Sequence, residues 1–444
     1  MTREAPAPAS GPSVLFVNQH YYPDVASTGQ HLTDLAEHLA SRGYSVAVLT
    51  ARGRYLSGQL DAPPNEVRNG VRITRVRATS FGRGSVLGRL LDYATFYLSV
   101  LLRIVRGAGG YDGVIFLSTP PLLAFIGSLT KRLRGVRYAV WAMDLHPDAE
   151  IAAGMLRPRS PLTWLLNLAD RAGFRGADFV VDLGPYMRRR IAAKGVSAQC
   201  AHTVPVWSAA DEVLPVAKGD NPLVRELGLE DRFVVMYSGN AGIVHDFDDI
   251  LEAMRLLEGD PRIAFLFVGG GPQRQRIERY AAEHGLTAFR YLDYFPRDQL
   301  RWSLAVGDAH LISLRREFVG ISVPGKLYGI MAAGRPTMFV GPSRCETADT
   351  IREARCGEVI DPEPGGAAER LAAALRAWSA SPATCARLGA AGRSAFLARF
   401  EREVACTAFE RVVAQHWAKA APAAAIESDE SARGDARRPA RVLR

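Results

Sequence analysis

The chain has 444 residues, of which 48% are hydrophobic, and a formal net charge of +9 at pH 7. This length exceeds that of an ordinary single domain and predicts two, each with its own core, while the composition excludes a disordered or fibrous chain. The five cysteines lack the close paired spacing of zinc and redox motifs. They predict reduced thiols in a reducing compartment and no disulfide framework.

The positive charge lies in the first part of the chain. Residues 1–200 contain 24 Lys and Arg against 14 Asp and Glu, and the remaining residues contain 31 against 32. Such asymmetry can indicate contact with nucleic acid or an anionic membrane, but Arg-rich proteins without such partners are equally familiar. Because the arginines are dispersed, with one tight run at 188–190, and no zinc-finger or RNA-binding signature accompanies them, nucleic acid is not an expected partner.

Both ends of the chain are biased in composition. Residues 1–13 are rich in Ala and Pro and predict a disordered tail, as do the Ala, Arg and Glu of residues 418–444. No apolar stretch near the start is long enough for a signal peptide or a membrane span. A cytoplasmic location is therefore expected.

Short apolar runs alternate with helical patterns along the chain, which is typical of parallel sheets crossed over by helices. The pattern breaks at residues 202–216, which have neither period and are predicted to be a linker. This gives an α/β protein with two doubly wound domains, 14–201 and 217–401, and a last helix at 402–417. Predicted strands of the first domain are 14–18, 45–50, 71–76, 112–118, 138–144 and 178–183; those of the second are 233–239, 264–271, 289–294, 309–314, 336–341 and 357–361.

One segment of the first domain, residues 86–106, predicts an apolar helix with arginines near both ends. Helices of this kind can lie in a membrane interface, with arginines on anionic headgroups. The alternative is an ordinary crossover helix packed on a sheet.

The segment from Arg315 to Pro336 joins an apolar strand to a helix through a turn suited to anions. Ser322 is a predicted cap, Pro324 suits the first helical turn, and Lys326 lies just inside it. Free backbone N–H groups at a helix start and a nearby ammonium would both bind phosphate. An ordinary turn with a surface lysine is the alternative.

Glycine-rich turns follow two predicted strands of the second domain, at residues 238–242 and 269–272. Ligands of doubly wound domains bind beyond the carboxyl ends of strands, where small residues let a phosphate approach the backbone. Neither turn matches the dinucleotide or P-loop patterns, so a classical dinucleotide oxidoreductase or P-loop nucleoside triphosphatase is not supported.

Six motifs in this order carry a family resemblance. They are Tyr22-Pro23-Asp24 with Thr28-Gly29, MDLHPD at 143–148, Pro205-Val206-Trp207, SGNAG at 238–242, GGGP at 269–272, and SVPGKLYGIMAAGRP at 322–336. The chain resembles the retaining glycosyltransferases of family 4, especially bacterial members of O-antigen, capsule and colanic-acid-type exopolysaccharide assembly. The resemblance implies the GT-B fold, two Rossmann-like domains facing each other across a cleft. It also implies a nucleotide diphosphate sugar held mainly by the second domain, an acceptor held mainly by the first, and a last helix that crosses back to the first domain.

The sequence departs from the family pattern at its hallmark pair of glutamates. Counted from the MAAG segment at 331–334, the two positions are Ile321 and Gly329. Sugar and ribose contacts must then come from elsewhere, and Glu317 with the backbone of residues 320–322 are the candidates. Asn240 stands where an arginine is frequent and His245 near where a lysine is frequent, which leaves Lys326 as the best cation for the diphosphate.

The resemblance and the motifs together predict three groups of site residues. In retaining enzymes of this kind the leaving phosphate is thought to take the acceptor proton, so Asp144 and His146 would orient the acceptor rather than act as a base. Asp144 or Asp148 can alternatively be a helix cap, and His31 is more simply a helix residue than a catalyst. The predicted catalytic residues are Asp144, His146, Lys326 and Glu317; the donor-binding residues are Gly29, Ser238, Gly239, Asn240, Gly242, Gly270, Gly271, Gly320, Ile321, Ser322 and Lys326; the acceptor-binding residues are Tyr22, Asp24 and Asp148.

The expected activity is transfer of a hexose-type sugar from a nucleotide diphosphate donor to a lipid-linked saccharide acceptor, by a cytoplasmic protein that contacts the anionic inner face of the membrane. No cofactor and no metal are expected, because no DxD-like or His/carboxylate cluster follows a strand of the second domain. Two alternatives stay open at this point. One is a nucleotide-sugar epimerase or hydrolase of the same fold, and the other is a non-catalytic scaffold in a polysaccharide assembly complex.

Overall fold

The structure is a computed structural model. It describes residues 11–24, 26–52, 62–79, 81, 86–107, 110–363 and 365–417. The predicted tail at 418–444 and residues 1–10 of the other tail lie outside these ranges. Residues 11–13 do not belong to a tail, because the Gly11 N–H donates to the Gly43 carbonyl at 3.1 Å and Ser13 begins the first strand.

The first domain is built on an eight-stranded sheet with the order β3-β4-β2-β1-β5-β6-β7-β8, parallel except for the edge strand β3. Every strand predicted for this domain is present. β3 and β8 were not predicted, because β3 is short, polar and half exposed and β8 has only three residues. The strands are β1 (Ser13–Val17), β2 (Ser45–Ala51), β3 (Asn65–Arg68), β4 (Val71–Val76), β5 (Gly113–Leu117), β6 (Tyr138–Trp141), β7 (Val180–Asp182) and β8 (Ala201–Thr203).

Helices cover both faces of this sheet. In α1 the apolar residues Leu32, Leu35, Ala36 and Leu39 recur at helical spacing and are buried, as the period predicts. The helices of this domain are α1 (Ser27–Ser41), α2 (Val86–Gly107), α3 (Leu123–Arg134), α4 (Asp148–Ala152), α5 (Pro161–Arg175) and α6 (Pro185–Ala193). Within the described residues, no helix combines the length and the apolar content that a membrane span needs.

The second domain has a six-stranded parallel sheet with the order β11-β10-β9-β12-β13-β14. Its strands are β9 (Phe233–Ser238), β10 (Ile263–Val268), β11 (Phe289–Leu292), β12 (Ala309–Ser313), β13 (Thr337–Val340) and β14 (Gly357–Ile360). Its helices are α7 (Pro222–Glu226), α8 (Asp248–Leu256), α9 (Arg274–Glu283), α10 (Leu300–Val306), α11 (Lys326–Ala332), α12 (Glu346–Ala354), α13 (Ala367–Ser379) and α14 (Pro382–Arg399).

The last helix, α15 (Arg402–Trp417), packs on the first domain although it follows the second in the chain. Phe409 lies edge-on to Trp141 with ring centroids 4.9 Å apart, and the Trp417 indole N–H donates to Asp178 at 3.2 Å. The Trp417 ring also covers Gly113, where a Cβ would lie 2.5 Å from the indole. The burial of these large aromatic rings holds the helix in place.

The predicted linker is anchored at its start. His202 and Thr203 belong to β8, so the first domain extends beyond residue 201. Trp207 stacks on Trp141 at 5.7 Å and donates through its indole N–H to Asp34 at 3.0 Å. Ser208 pairs with the segment that leads into α15, since its N–H donates to the Phe400 carbonyl at 3.2 Å.

The carboxyl ends of the two sheets face each other, because the segments that follow β6 and β12 touch directly. The Leu145 N–H donates to the Ile321 carbonyl at 3.0 Å, and Asp144 forms a backbone bridge with Ser322. Nearby, Glu346 of α12 accepts a hydrogen bond from the Met187 N–H of α6 at 2.8 Å. The cleft between the domains is bounded by these contacts.

Candidate active site

Lys326, the first residue of α11, lies at the carboxyl end of the second sheet. Its Nζ is 2.6 Å from the Tyr237 hydroxyl, 3.2 Å from His245 Nε2 and 4.0 Å from the centroid of the Tyr237 ring. The glycine turn after β9 closes a further side, because a Cβ on Gly239 would lie 3.4 Å from Lys326 Cε. The side chain is therefore held in one position by three groups from the stretch between the end of β9 and the start of α8.

Hydrogen bonding determines which of these groups donate to which. His245 is buried and its Nδ1 is 2.6 Å from the Ser313 carbonyl, which can only accept, so Nδ1 carries the proton and Nε2 accepts from Lys326. The Tyr237 hydroxyl donates to the Asn240 carbonyl at 2.9 Å and likewise accepts from Lys326. Two of the three ammonium protons thus have acceptors within the described part of the chain, and one is left for a ligand.

The pKa values of this group follow from burial. Burial lowers the pKa of Lys326 from 10.5 to about 7. Burial and the positive charge of Lys326 hold the pKa of His245 well below its usual range, and burial raises that of Tyr237 well above its own. His245 and Tyr237 are therefore neutral near pH 7, and Lys326 is the group whose charge responds to a ligand.

Lys326 supplies a cation close to a position at which the family frequently has a lysine and this chain does not. His245 stands near a position that is frequently lysine in the family, and Lys326 Nζ lies within hydrogen-bond distance of it. The cation reaches the same place from α11 instead of from the loop after β9.

The two glycine-rich turns lie side by side next to Lys326. The Ala241 N–H donates to the Gly270 carbonyl at 2.7 Å. Gly269 has a φ of +134°, and its Cα packs against the Gly239 carbonyl. A Cβ at Gly269 would lie 2.2 Å from that oxygen, so only glycine fits there. The predicted donor residues Ser238, Gly239, Asn240, Gly270, Gly271 and Lys326 are brought together by this packing.

Tyr294, which sequence reasoning missed, follows β11 and borders the same turns. Its ring would be 3.2 Å from a Cβ on Gly269 and 3.4 Å from one on Gly270, and it is about half exposed. An exposed aromatic ring beside glycine-rich turns is a stacking surface for a planar ligand group. Gly242 lies deeper, since it is buried and its carbonyl accepts from the Gln273 side chain at 2.8 Å.

The start of α11 differs from the prediction. The helix begins at Lys326 with Gly325 as its cap, so the prediction that Ser322 caps it was wrong, and Pro324 precedes the first turn. The N–H groups of Leu327 and Tyr328 donate to the carbonyls of Pro324 and Gly325, because the turn before the helix is tight. Fewer backbone donors are free for an anion than expected.

The backbone of residues 320–322, whose donor-binding role stays a prediction, forms a contact between the domains. Gly320 has φ +69°, and a Cβ there would lie 2.6 Å from the Tyr186 carbonyl. Ile321 is buried and its carbonyl accepts from Leu145, while Ser322 bridges to Asp144. The Ile321 carbonyl has one of its two lone pairs occupied by this contact.

Glu317 is in a short 3₁₀ turn and is exposed, 3.5 Å from Arg315. It lines a cavity of about 310 Å³ together with Asp246 and Asp249, and Lys326 is not among the lining residues. The structure does not bring Glu317 and Lys326 to one cavity, and its sugar-binding role stays a prediction.

On the first-domain side, His146 is paired with a residue that was not predicted. Its Nδ1 lies 2.8 Å from Glu150, one helical turn later in α4. Burial alone lowers the pKa of His146, but the hydrogen bond and charge of Glu150, with the charge of Asp144, raise it above its ordinary value. The i, i+4 spacing in the sequence was the signal for this pair.

Asp148 is held in an ion-pair cluster. Its carboxylate is 2.5 Å from Lys194 Nζ and 3.5 Å from Arg190, and Lys194 also contacts the buried Asp170 at 2.6 Å. Burial raises the pKa of Asp170 to about 6, although Lys194 opposes this. Neither Asp144 nor Asp148 caps α4, whose cap is Pro147 without a side-chain hydrogen bond. The charge of Asp148 is neutralised within the domain, which leaves its acceptor-binding role a prediction.

The residues predicted in the first loop are dispersed. Tyr22 is 40% exposed and stacks under Arg68 at 3.9 Å, whereas Asp24 is buried and 2.7 Å from His20 Nδ1. Gly29 packs against the His20 backbone, where a Cβ would lie 3.1 Å from its carbonyl carbon. His31 contacts the carbonyls of Ser27 and Trp207, as expected of a helix residue. Among the described residues, no group of three or more His, Cys, Asp or Glu could hold a metal ion.

Two family models match the two domains in order. Residues 28–207 match the Glycosyl transferase 4-like domain, and residues 222–395 match Glycosyl transferases group 1. The two sheets facing across a cleft are the GT-B architecture, so the predicted fold is confirmed. The chain belongs to the family-4 glycosyltransferases and is a glycosyltransferase.

Individual relatives agree with this assignment. The colanic acid biosynthesis glycosyl transferase WcaI of Escherichia coli K12 is 26% identical over 373 residues, which cover 82% of this chain and 91% of that protein. The sucrose-phosphate synthase of Thermosynechococcus elongatus has a similar fold, with a TM-score of 0.73 at 18% identity over 91% of this chain and 98% of that one. HepE of Anabaena in complex with UDP-glucose gives a TM-score of 0.66 at 13% identity over 91% and 100%. The two family models and the curated relatives favour a transferase over the epimerase, hydrolase and scaffold alternatives.

Proposed function

We propose that this glycosyltransferase moves a hexose-type sugar from a nucleotide diphosphate donor to a lipid-linked saccharide acceptor in bacterial cell-surface polysaccharide assembly. The observation that carries the donor side is the Lys326 ammonium, held between neutral His245 and Tyr237 with one proton that has no acceptor among the described residues. The similarity to WcaI supports the pathway, and the complex of HepE with UDP-glucose supports a nucleotide sugar as donor.

Each group has a defined part in the proposed reaction. Lys326 neutralises the diphosphate as the bond between the sugar and the phosphate breaks, and a preorganised cation of this kind stabilises the developing charge. Tyr294 stacks on the nucleobase. Asp144 and His146 orient the acceptor hydroxyl, and its proton passes to the leaving phosphate, with the anomeric configuration retained as the family resemblance implies.

Calorimetry against UDP, GDP, ADP and TDP sugars, with and without magnesium, tests the donor proposal. One nucleotide sugar should bind the unaltered protein selectively. Lys326→Ala should weaken that binding about 10- to 100-fold, the usual value of a hydrogen bond from a charged group. The matched control is Lys131→Ala, which removes a lysine on α3 that contacts Asp178 at 2.9 Å. Unaltered affinity in Lys326→Ala would remove the phosphate role, and no binding of any donor would favour a scaffold.

We also propose that the first domain lies on the membrane through α2 and α5. Both helices contact α3, and both expose large apolar side chains that a soluble surface does not require. Trp164 is 67% exposed, and tryptophan favours the membrane interface. Arg103, Arg106, Arg157 and Arg159 are exposed along the same helices or just before α5 and would meet anionic headgroups. The exposed apolar residues are Leu87, Leu90, Leu91, Leu98 and Leu102 on α2 and Leu162, Trp164, Leu165 and Leu168 on α5.

Flotation with anionic vesicles tests this contact. The double variant Leu98→Glu with Leu102→Glu should leave the protein unbound, whereas Val67→Glu should float like the unaltered protein. Val67 is 71% exposed on β3, so the control introduces the same charge at an exposed apolar position outside the two helices. Equal flotation of both variants would contradict the membrane proposal and leave the donor proposal untouched.

A further inference from the structure

A cavity of about 700 Å³ lies between the second half of α2 and the first sheet. Its floor is formed by β1, β2 and β4, where the strand register puts Leu15, Ala47 and Leu49 on one face. Leu102 and Ile104 of α2 form the opposite wall. The cavity therefore has an apolar floor with polar side chains around it, and it is large enough for a hydrocarbon chain.

The rim of this cavity is positively charged. Arg77, Arg103 and Arg106 line it and are exposed, and within the described ranges none of the three has an ion-pair partner. No acidic residue occurs among the described residues that line the cavity. Three arginines without an ion-pair partner in the described ranges, beside an apolar floor, complement a ligand that joins an anionic group to a hydrocarbon chain.

A further arginine lines the same cavity, and one of its donors has no acceptor among the described residues. Arg75 is fully buried, with its two terminal nitrogens bonded to Glu66 and to the carbonyls of Pro63 and Tyr22. Its Nε–H is also buried and meets no acceptor in the described part of the protein. A buried donor without an acceptor is costly, and because this one is closed off from solvent, the charge complementarity of the cavity comes from Arg77, Arg103 and Arg106.

The position of the cavity separates it from the catalytic cleft. It opens on the face of the sheet that α2 covers, and none of its lining residues belongs to the turns after β1, β5 or β6, where the domains meet. Its occupant would not compete with the donor or with the reacting saccharide. Leu98 and Leu102 are exposed on the same helix, so the cavity borders the surface proposed to face the bilayer.

We infer that this cavity binds one anionic phospholipid of the membrane, with an acyl chain between α2 and the sheet and its phosphate on Arg77, Arg103 and Arg106. The inference extends the membrane contact proposed above from a surface to a specific lipid site. A chain inserted behind α2 would hold the protein on the bilayer more firmly than surface contact alone, because the chain becomes buried apolar area.

Calorimetry with a short-chain phosphatidylglycerol, used below its micelle concentration, tests the site without a bilayer. The unaltered protein should bind this lipid, bind phosphatidylcholine of the same chain length more weakly, and not bind glycerol 3-phosphate, which lacks the chains. Ala47→Leu, which fills the cavity without removing a hydrogen bond, should abolish binding. Arg103→Gln with Arg106→Gln should weaken it about fivefold for each arginine.

The matched control is Arg132→Gln, which removes an exposed arginine of α3 that does not line the cavity and should bind the lipid normally. A cooperative thermal unfolding transition like that of the unaltered protein shows that each variant is folded, and Ala47→Val is a smaller change should Ala47→Leu fail that check. Unaltered lipid binding in a folded cavity-filled variant, equal binding of glycerol 3-phosphate, or no lipid binding at all would overturn the inference. Because no vesicle and no sugar transfer enter the measurement, these results are distinct from those of the flotation and donor experiments.

Discussion

Donor binding should depend on pH through Lys326. In the donor-free protein burial lowers the pKa of this lysine to about 7, so the ammonium is only partly protonated at neutral pH. A diphosphate favours the charged form and raises the pKa again, so donor binding takes up a proton. Affinity should therefore be highest below pH 7 and fall as the pH rises through and beyond that value.

The size of the effect follows from the protonated fraction of Lys326. About half of the donor-free molecules carry the charge at pH 7 and about a tenth at pH 8, so the dissociation constant should rise about fivefold between them and about tenfold more by pH 9. His245 and Tyr237 do not contribute, because the pKa of His245 lies well below this range and that of Tyr237 well above it.

Calorimetry in buffers of different ionisation enthalpy measures both the affinity and the proton uptake. The intact nucleotide sugar is the ligand, because both of its phosphates are esterified and keep a constant charge between pH 6 and 9. Proton uptake should be about half a proton per donor at pH 7 and close to one at pH 8. Lys326→Arg is the control, since a guanidinium stays charged over the whole range and its affinity should not vary with pH.

Two results would refute this reasoning. A dissociation constant that is level from pH 7 to 9 in the unaltered protein would mean that burial does not lower the lysine pKa. An equal pH dependence in Lys326→Arg would assign the titration to another group.

Three further predictions concern other parts of the molecule. Glu150→Gln should move any His146-dependent limb of the pH–rate profile of sugar transfer to lower pH, because the Glu150 carboxylate raises the pKa of the His146 imidazole. A profile identical to that of the unaltered protein would exclude a positioning role for His146. Gly320→Ala should cost about 1–3 kcal/mol in the free energy of unfolding by urea, because its φ is +69° and a Cβ would meet the Tyr186 carbonyl, and an unchanged urea midpoint would contradict the interdomain contact. Trp417→Ala should cost about 3–5 kcal/mol in the same assay if α15 is anchored on the first domain, and a loss below 1 kcal/mol would show that it is not.

Much of the fold was readable from local patterns. Runs such as those of β1 and β10 are continuously apolar because their strands are buried on both faces, and each is followed by a turn and a helical period. The exceptions were β3 and β8, which are too short and too polar to produce a period. The start of α11 was also misjudged, because a Ser-x-Pro pattern can equally form a tight turn before the helix.

The candidate site was only partly predictable, because a local pattern reveals only contacts between residues that are close together in the chain. Glycine turns after β9 and β10 could be assigned because strand ends and glycines are adjacent in the chain. Asp148 was predicted to face an acceptor. Its ion pair with Lys194 could not be predicted, because Lys194 is 46 residues away and nothing near Asp148 in the sequence indicates it.

The sequence by itself determined the order of strands and helices, the two-domain division and the presence of a lysine after β12, because each depends on residues close together in the chain. Only the tertiary structure decided what that lysine does. Its hydrogen-bond partners His245 and Tyr237 are 81 and 89 residues away, and burial among them is what lowers its pKa. Burial and long-range partners are properties of packing, and no local pattern encodes them.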